Sequence, residues 1–494
     1  MMTPAPLWNS EEVIAATLGS ATGGTDAWTA TGVSIDSRTC QPGDLYVSIS
    51  GDQFDGHDFV AGALESGACA AIVTRRPDGL GDDAPLVQVD DAMDALEALG
   101  RAARDRAAAS VIGVTGSVGK TGTKEALTLA FGALGETHAT LGNLNNHIGV
   151  PLTLARLPRD ARFAVVEMGM NHAGEISELS MLARPDVAII TTIAAVHLEF
   201  FDSVAGIADA KAEIFDGMAK GGTAILNRDN IYFAILASRA WAHGVERVVG
   251  FGAHPEADAQ LSACALTGDG SDITARIGDH IVRYQLRVPG RHWVHNSLAV
   301  LASVHALDGD LNAVAEALEL LEAPRGRGAR IDIQLEDGTL TLIDESYNAN
   351  PASMRAAIAV LASSRTKPGG RRIAILGDML ELGETAPQLH AALARDLESS
   401  DIDLVFCAGP NMNALDAALP AKMRGAHAKD SKGLTPAVLN AIRGGDVVMV
   451  KGSLGSQMAV IVDALSAMDI GNAGLRGVPM LFNLLGPLAD EFIL

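Results

Sequence analysis

The stretch Gly113-Val-Thr-Gly-Ser-Val-Gly-Lys-Thr121 decides how the rest of the chain is read. It follows a short apolar run, Ser110-Val-Ile-Gly-Val114, and leads into Lys124-Glu-Ala-Leu-Thr-Leu-Ala-Phe131, whose spacing predicts a helix. Strand, glycine loop and helix start make a phosphate cradle, because backbone N–H groups and the positive helix end converge on an anion. Lys120 then reaches the outer phosphates, and the Thr121 hydroxyl is placed for a nucleotide-bound Mg²⁺. Strict G-x-x-x-x-G-K-[ST] spacing needs glycine at 114, where valine stands, so Gly113, Gly116 and Gly119 form a loop of slightly different spacing. A bare Gly-Lys-Thr also occurs in ordinary turns, but the flanking strand and helix signals favour a nucleoside-triphosphate site.

The length of 494 residues is enough for roughly three domains. With 48% hydrophobic and 20% charged residues the chain is a well-packed globular one, and with only 4% aromatics its cores must be aliphatic. A net charge of −23 argues against a nucleic-acid partner, while leaving room for anionic small substrates met by a few local cations. Cys40, Cys69, Cys264 and Cys407 lie far apart, with neither zinc nor disulfide spacing, as fits a reducing cytoplasm. The N-terminal stretch through Trp8 shows no secretory signal, and no run reaches the roughly 18–20 apolar residues of a membrane span. The expectation is a cytoplasmic protein without stable membrane insertion. The apolar tail, Val478 to Leu488, is broken by proline and glycine and reads as a docked terminal segment.

Residues 1–108 read as a first α/β unit, with strands at 33–35, 44–49, 70–74 and 86–89 and helices at 60–66 and 92–107. Asp36-Ser37-Arg38 follows its first strand, either to meet an anionic ligand or as a turn closed by its own ion pair. Over 109–322 strand and helix alternate strongly, which predicts a mostly parallel sheet with helices on both faces. Ligands bind such sheets at the carboxyl ends of the strands. That rule singles out Glu167, after Phe163-Ala-Val-Val, and His197, after the run 187–193. A carboxylate and a histidine beside a phosphate loop form an Mg²⁺ shell, although Glu167 could cap a turn and His197 could be an interior histidine. Alternating stretches over 259–289 predict β-hairpins, and 296–307 a helix. Glu322-Ala-Pro-Arg-Gly-Arg-Gly328 marks a boundary, and 323–494 reads as a doubly wound unit without G-x-G-x-x-G. Its strand ends, including Glu345 to Asn350 and Lys451 to Ser453, would face the central unit across a cleft.

Thr115 to Thr121, the Glu167 strand end, the His197 loop, Lys211-Ala-Glu213, Gly290-Arg-His292 with Asn296, and Asp344 with Tyr347-Asn-Ala-Asn350 stand in an order that resembles the Mur ligases. These are ATP-dependent amide ligases of bacterial cell-wall precursor synthesis. Tyr347-Asn-Ala-Asn-Pro351, Gly377-Asp-Met-Leu-Glu-Leu-Gly383 and Asn143-Leu-Asn-Asn-His-Ile-Gly149 are most similar to the branch that joins D-alanyl-D-alanine to UDP-N-acetylmuramoyl-tripeptide. The resemblance implies an N-terminal UDP-sugar domain, a central P-loop ATPase domain and a C-terminal Rossmann-like domain; a monomer is expected. It implies that Thr115, Gly116, Ser117, Val118, Gly119, Lys120 and Thr121 bind the triphosphate, with Asn296 and Asp344 on adenine and ribose. Thr121, Glu167, His197 and a carbamylated Lys211 would hold Mg²⁺ at two sites. From its residue pattern alone, Lys211 is a solvated helix residue.

Lys120, His197, Lys211 and Arg327 are the implied catalytic residues, with Arg325 a rival to Arg327. Ser37, Arg38, Asn146 and His147 would meet the UDP-sugar peptide, and Tyr347, Asn348 and Asn350 complete the substrate set. Trp293 departs from the family's His-Asn-x-x-Asn pattern. The implied reaction passes through an acyl phosphate, which the dipeptide's amine then attacks. The rivals are another ligase of the superfamily, though no Asp-Asn-Pro-Arg stretch is present, and a nucleotide switch, though Asn227-Arg-Asp-Asn230 lacks the lysine of N-K-x-D.

Overall fold

The computed structural model describes residues 6–23, 27–51, 53–196 and 199–471. Three α/β units follow one another along them. The first holds a five-stranded sheet in the spatial order Ser20–Thr22, Leu86–Gln88, Ala70–Val73, Asp44–Val47, Gly32–Ser34. Its strands run parallel except Ser20–Thr22, which lies antiparallel at the edge. Ala70–Val73 is buried along its whole length, as an apolar run covered on both faces must be.

The central sheet has nine strands, and the phosphate-loop strand Ser110–Thr115 sits inside it, between Phe163–Glu167 and Val187–Ile190. Thr137–Ala139 lies beyond Phe163–Glu167. On the other side follow Thr223–Asn227, Arg247–Gly252 and Ala259–Thr267, all parallel, and then the antiparallel hairpin strands Gly270–Ile277 and His280–Leu286. The register pairs Val114 with Glu167 and Thr115 with Ile190, so these strands deliver their next residues to one edge. The strand expected over 187–193 ends at Ile190, where the backbone turns to carry the loop described below.

Two helices start earlier than apolar spacing predicts. The phosphate-loop helix runs Lys120–Gly132 and the helix expected from 296 runs Arg291–Ala306. In each case a glycine with positive φ, Gly119 at 87° and Gly290 at 121°, turns the chain directly into the first helical residue. Those first turns are polar and face the site, so hydrophobic periodicity does not register them.

The third sheet has the order Ala329–Leu335, Gly338–Glu345, Val447–Lys451, Arg372–Gly377, Leu404–Ala408, Arg424–Ala428. Its first pair is antiparallel and the rest parallel. One apolar core runs unbroken from Leu7 and Trp8 in the first unit to Val245 in the second. Trp8 seals that junction: its indole N–H donates to the Ala155 carbonyl at 2.9 Å, and the Arg106 guanidinium stacks 3.6 Å over the ring. The third unit has two apolar clusters of its own, one on each face of its sheet. Among the described residues no helix is long and apolar enough to cross a membrane.

Candidate active site

The phosphate loop is fastened to the neighbouring strand end. Ser117 N–H donates to the Thr192 carbonyl at 2.9 Å, its hydroxyl donates to Ala194 O at 3.1 Å, and the Thr191 hydroxyl donates to Val118 O at 2.6 Å. Gly116 has φ 150°, and a Cβ there would fall 1.9 Å from the Thr191 hydroxyl oxygen, so only glycine fits. The Lys120 ammonium folds back to Gly116 O at 2.9 Å. Asn296 lies against the loop from the facing helix, its Oδ1 3.2 Å from where a Cβ on Gly119 would stand.

Glu167, 1% exposed, stands beside this loop. Its Oε1 accepts from the Thr121 hydroxyl at 3.3 Å and from Asn145 Nδ2 at 2.7 Å, while its Oε2 has no hydrogen-bond partner. An unsatisfied carboxylate oxygen in the interior is costly, and a cation beside Thr121 would satisfy it. Among the described residues no three His, Cys, Asp or Glu side chains gather as a metal cluster. A hard cation here would thus draw on Glu167, the Thr121 hydroxyl and oxygens brought by phosphate, a donor set that fits Mg²⁺. Burial holds the Lys120 amine below its ordinary pKa, opposed by Glu167 and reinforced by Arg327. Lys211, 1% exposed, is held much further below, first by burial and then by the charge of Lys120. Its expected place on a solvated face is therefore corrected: the helix Val204–Ala212 turns it inward.

A cavity of about 910 Å³ joins the loop to the third unit. The loop from Ser117 to Thr121, Glu167 and Asn296 form one wall; Arg327, Tyr347, Asn348, Asn350 and Lys451 form the opposite one; Asn146 and His147 also line it. Arg327 lies 4.0 Å over the Tyr347 ring, whereas Arg325 is tied to Asp463 at 2.5 Å. Asp344 does not line the cavity. Its carboxylate accepts from Gly326 N–H at 2.9 Å and from the Ser346 hydroxyl at 2.6 Å, fixing the turn that presents Arg327. Asn350 caps the helix Pro351–Ser363 by accepting from Ser353 N–H at 2.9 Å. Thr115 is buried beneath the loop. Ser37 and Arg38 lie outside the cavity lining, on the first unit. There the Arg38 guanidinium grips Asp36 through two bonds of 2.8 and 2.7 Å, the ion-paired turn. His197 and the tail 478–488 fall outside the described residues.

Asn145 stands in the Asn143–Gly149 motif, but the sequence assigned it no role, although three asparagines within 143–146 mark a polar cluster. His292 carried no assigned role, while Glu345 and Lys451, expected at strand ends facing the cleft, do line the cavity. Lys451, 2% exposed, pairs with Glu345 at 3.1 Å and donates to Asn348 O at 2.8 Å.

Comparison with known proteins gives a consistent result over nearly all of this architecture. Residues 29–104 match the family model described as Mur ligase family, catalytic domain; residues 114–304 match the Mur ligase middle domain; residues 329–454 match the Mur ligase, glutamate ligase domain. The UDP-N-acetylmuramoyl-tripeptide–D-alanyl-D-alanine ligase of Escherichia coli (strain K12) is 37% identical over 435 residues, covering 88% of this chain and 93% of that protein. The crystal structure of MurF from Acinetobacter baumannii superposes with a TM-score of 0.81 at 30% identity, covering 94% of this chain and 100% of that one. MurF ligase from Thermotoga maritima, solved in complex with ADP, superposes with a TM-score of 0.72 at 25% identity, covering 88% and 97%. On this evidence the chain belongs to the Mur ligase family.

Proposed function

We propose that this chain is the ATP-dependent ligase that joins D-alanyl-D-alanine to UDP-N-acetylmuramoyl-tripeptide, in the cytoplasm and as a monomer. The observation that carries this reading is the single cavity in which a phosphate loop and an unsatisfied carboxylate face the strand ends of a separate unit. A nucleotide switch has no need of that opposing wall, whereas a ligase must bring a second substrate to the activated one. The names and coverage of the relatives support the same choice.

In this ligation the tripeptide's terminal carboxylate takes the γ-phosphoryl group of ATP, and the dipeptide's amine then displaces phosphate. A carboxylate is a poor electrophile, and phosphorylation supplies the leaving group. Two anions must approach in the first step, so the residues that matter are cations held without reorganisation. Lys120 sits within the loop, and Arg327 is braced on Tyr347, where it can neutralise charge on the transferring group. We assign Mg²⁺ to Thr121 and Glu167, with His197 and a carbamylated Lys211 serving a second ion. Bound there, the metal would screen phosphate charge. The buried Lys211 amine, weakly basic in its surroundings, is suited to take up carbon dioxide, which reacts with neutral amines. We assign Asn296 and the turn held by Asp344 to the nucleoside. Tyr347, Asn348 and Asn350 go to the dipeptide side, and Asn146, His147, Ser37 and Arg38 to the UDP-sugar peptide.

The test is ADP release with UDP-N-acetylmuramoyl-tripeptide and a panel of amino acids and dipeptides. Turnover should require D-alanyl-D-alanine. Equal ATP hydrolysis without any acceptor, or turnover only with a single amino acid, would refute the assignment.

A further inference from the structure

Resting on the ligase reading above, we propose that His292 accepts the proton that leaves the dipeptide's amine as the new amide bond forms. The amine must attack in its neutral form, and as the nitrogen bonds to the carbonyl carbon one N–H proton has to go elsewhere. Free α-amino groups titrate near about 7.7–8.0, so a base at the site is needed near neutrality.

The titratable groups along the cavity are mostly committed. Glu167 is held by Thr121 and Asn145 and faces the phosphate loop. Glu345 is paired with Lys451 at 3.1 Å, and His295 stands 3.4 Å from Asp229. Two histidines along the cavity, His147 and His292, have rings with no hydrogen bond to any described residue; His147 is exposed, whereas His292 is half-buried. It occupies the first turn of the helix Arg291–Ala306 at the seam between the central and third units. There Gly290 is wedged: a Cβ on it would fall 2.6 Å from His292 Cε1 and 3.1 Å from Val360 Cγ2 of the helix Pro351–Ser363. The ring thus sits between the triphosphate wall and the dipeptide wall.

The charged groups facing it are Glu345 and Lys451 from two strand ends of the third unit and His295 from its own helix. Burial dominates and holds its pKa below the ordinary histidine value, against the opposing pull of Glu345. The positive end of its helix also disfavours the imidazolium. The imidazole therefore meets the substrate neutral and able to take a proton. In the step itself, the amine nitrogen bonds to the acyl-phosphate carbon and the N–H electron pair stays on nitrogen while the proton passes to His292. The carbon–oxygen bond to phosphate then breaks, and phosphate leaves with that pair. The imidazolium returns its proton to water.

The experiment compares full-length wild type, His292→Gln and His292→Ala with two nucleophiles, D-alanyl-D-alanine and hydroxylamine, a much weaker base that is already unprotonated at neutral pH and whose adduct is acidic enough to lose its N–H proton to water. Both variants should form the acyl hydroxamate within about twofold of wild type, which also shows that they are folded. With the dipeptide they should fall about 100-fold or more, the size expected for loss of a general base. The inflection that His292 gives the acid limb of the kcat–pH profile should be lost in His292→Gln, leaving a rate that climbs steadily with pH as the amine deprotonates, and added imidazole should restore part of the rate of His292→Ala. Parallel loss with both nucleophiles, or a dipeptide rate within a few-fold of wild type with the acid limb intact, would overturn the role. The wild-type arm tests the ligase reading separately: hydroxamate formation without dipeptide turnover would sink the acceptor assignment itself.

Discussion

At the residue scale, the site turns on a few side chains whose partners are incomplete without substrate. Lys120 is held by a single carbonyl bond, and Glu167 leaves one oxygen unsatisfied. Lys120→Ala should lower kcat by about 1,000-fold or more while leaving the thermal midpoint nearly unchanged, since charge stabilisation of this kind is worth several kcal/mol in the transition state. Steady-state ADP release beside a melting curve checks both halves. Lys211→Ala should be severely impaired and partly restored by short carboxylic acids that stand in for the proposed carbamate; no rescue at any concentration would count against that assignment. Strand-end logic pointed to Glu167 and the Gly-Lys-Thr pattern to Lys120 and Thr121, and all three line the cavity. Lys211 was legible only through family resemblance. Its sequence neighbours Asp209 and Glu213 read as a wet face, and only the tertiary fold turns the lysine inward to 1% exposure.

At the scale of elements, the meeting of the helices Lys120–Gly132 and Arg291–Ala306 explains the departure at Trp293. Its indole lies over Gly122, where an added Cβ would come within 2.9 Å of the ring, so glycine in the first helix and tryptophan in the second are complementary. Gly122→Ala should destabilise the protein by about 1–3 kcal/mol through overpacking, despite the better helix propensity of alanine. Trp293→Phe on the same background should recover part of that loss, and urea denaturation of the double-mutant cycle measures the coupling. A second joint shows how pH acts. His138, in the strand Thr137–Ala139, bonds the Thr153 carbonyl at 2.8 Å, and burial holds its pKa below 6.5. Between that lowered value and 6.5 the unfolded chain binds more protons than the native one, so stability rises with pH through this window and falls as the solution is acidified. Thermal midpoints should therefore drop from pH 7 to pH 5, less steeply in His138→Gln. Sheet strands were legible because apolar runs declare themselves. Helix starts at Lys120 and Arg291 were not, because their signal is a glycine's backbone geometry rather than a pattern of side chains.

At the scale of the molecule, alternation of strand and helix was enough to expect three α/β units. How those units are joined was not, because a sequence does not say which apolar faces meet. The first two are fused through one core, sealed by Trp8 and by the Arg156 Nε bond to Val33 O at 2.6 Å. The third holds its own cores, and the cavity lies between it and the central unit. Calorimetry should resolve two unfolding transitions rather than one, with the third unit's separated from the rest. A strictly single transition with equal calorimetric and van't Hoff enthalpies would show that the seam couples them.

Such a join makes the connection after residue 322 a tether more than a structural support. Two polypeptides, 1–322 and 323–494, should each reach their native state when made apart, and neither alone should turn over substrate. Mixed, they should regain a rate that climbs with protein concentration and levels off at that of the intact chain, because what the tether contributes is local concentration.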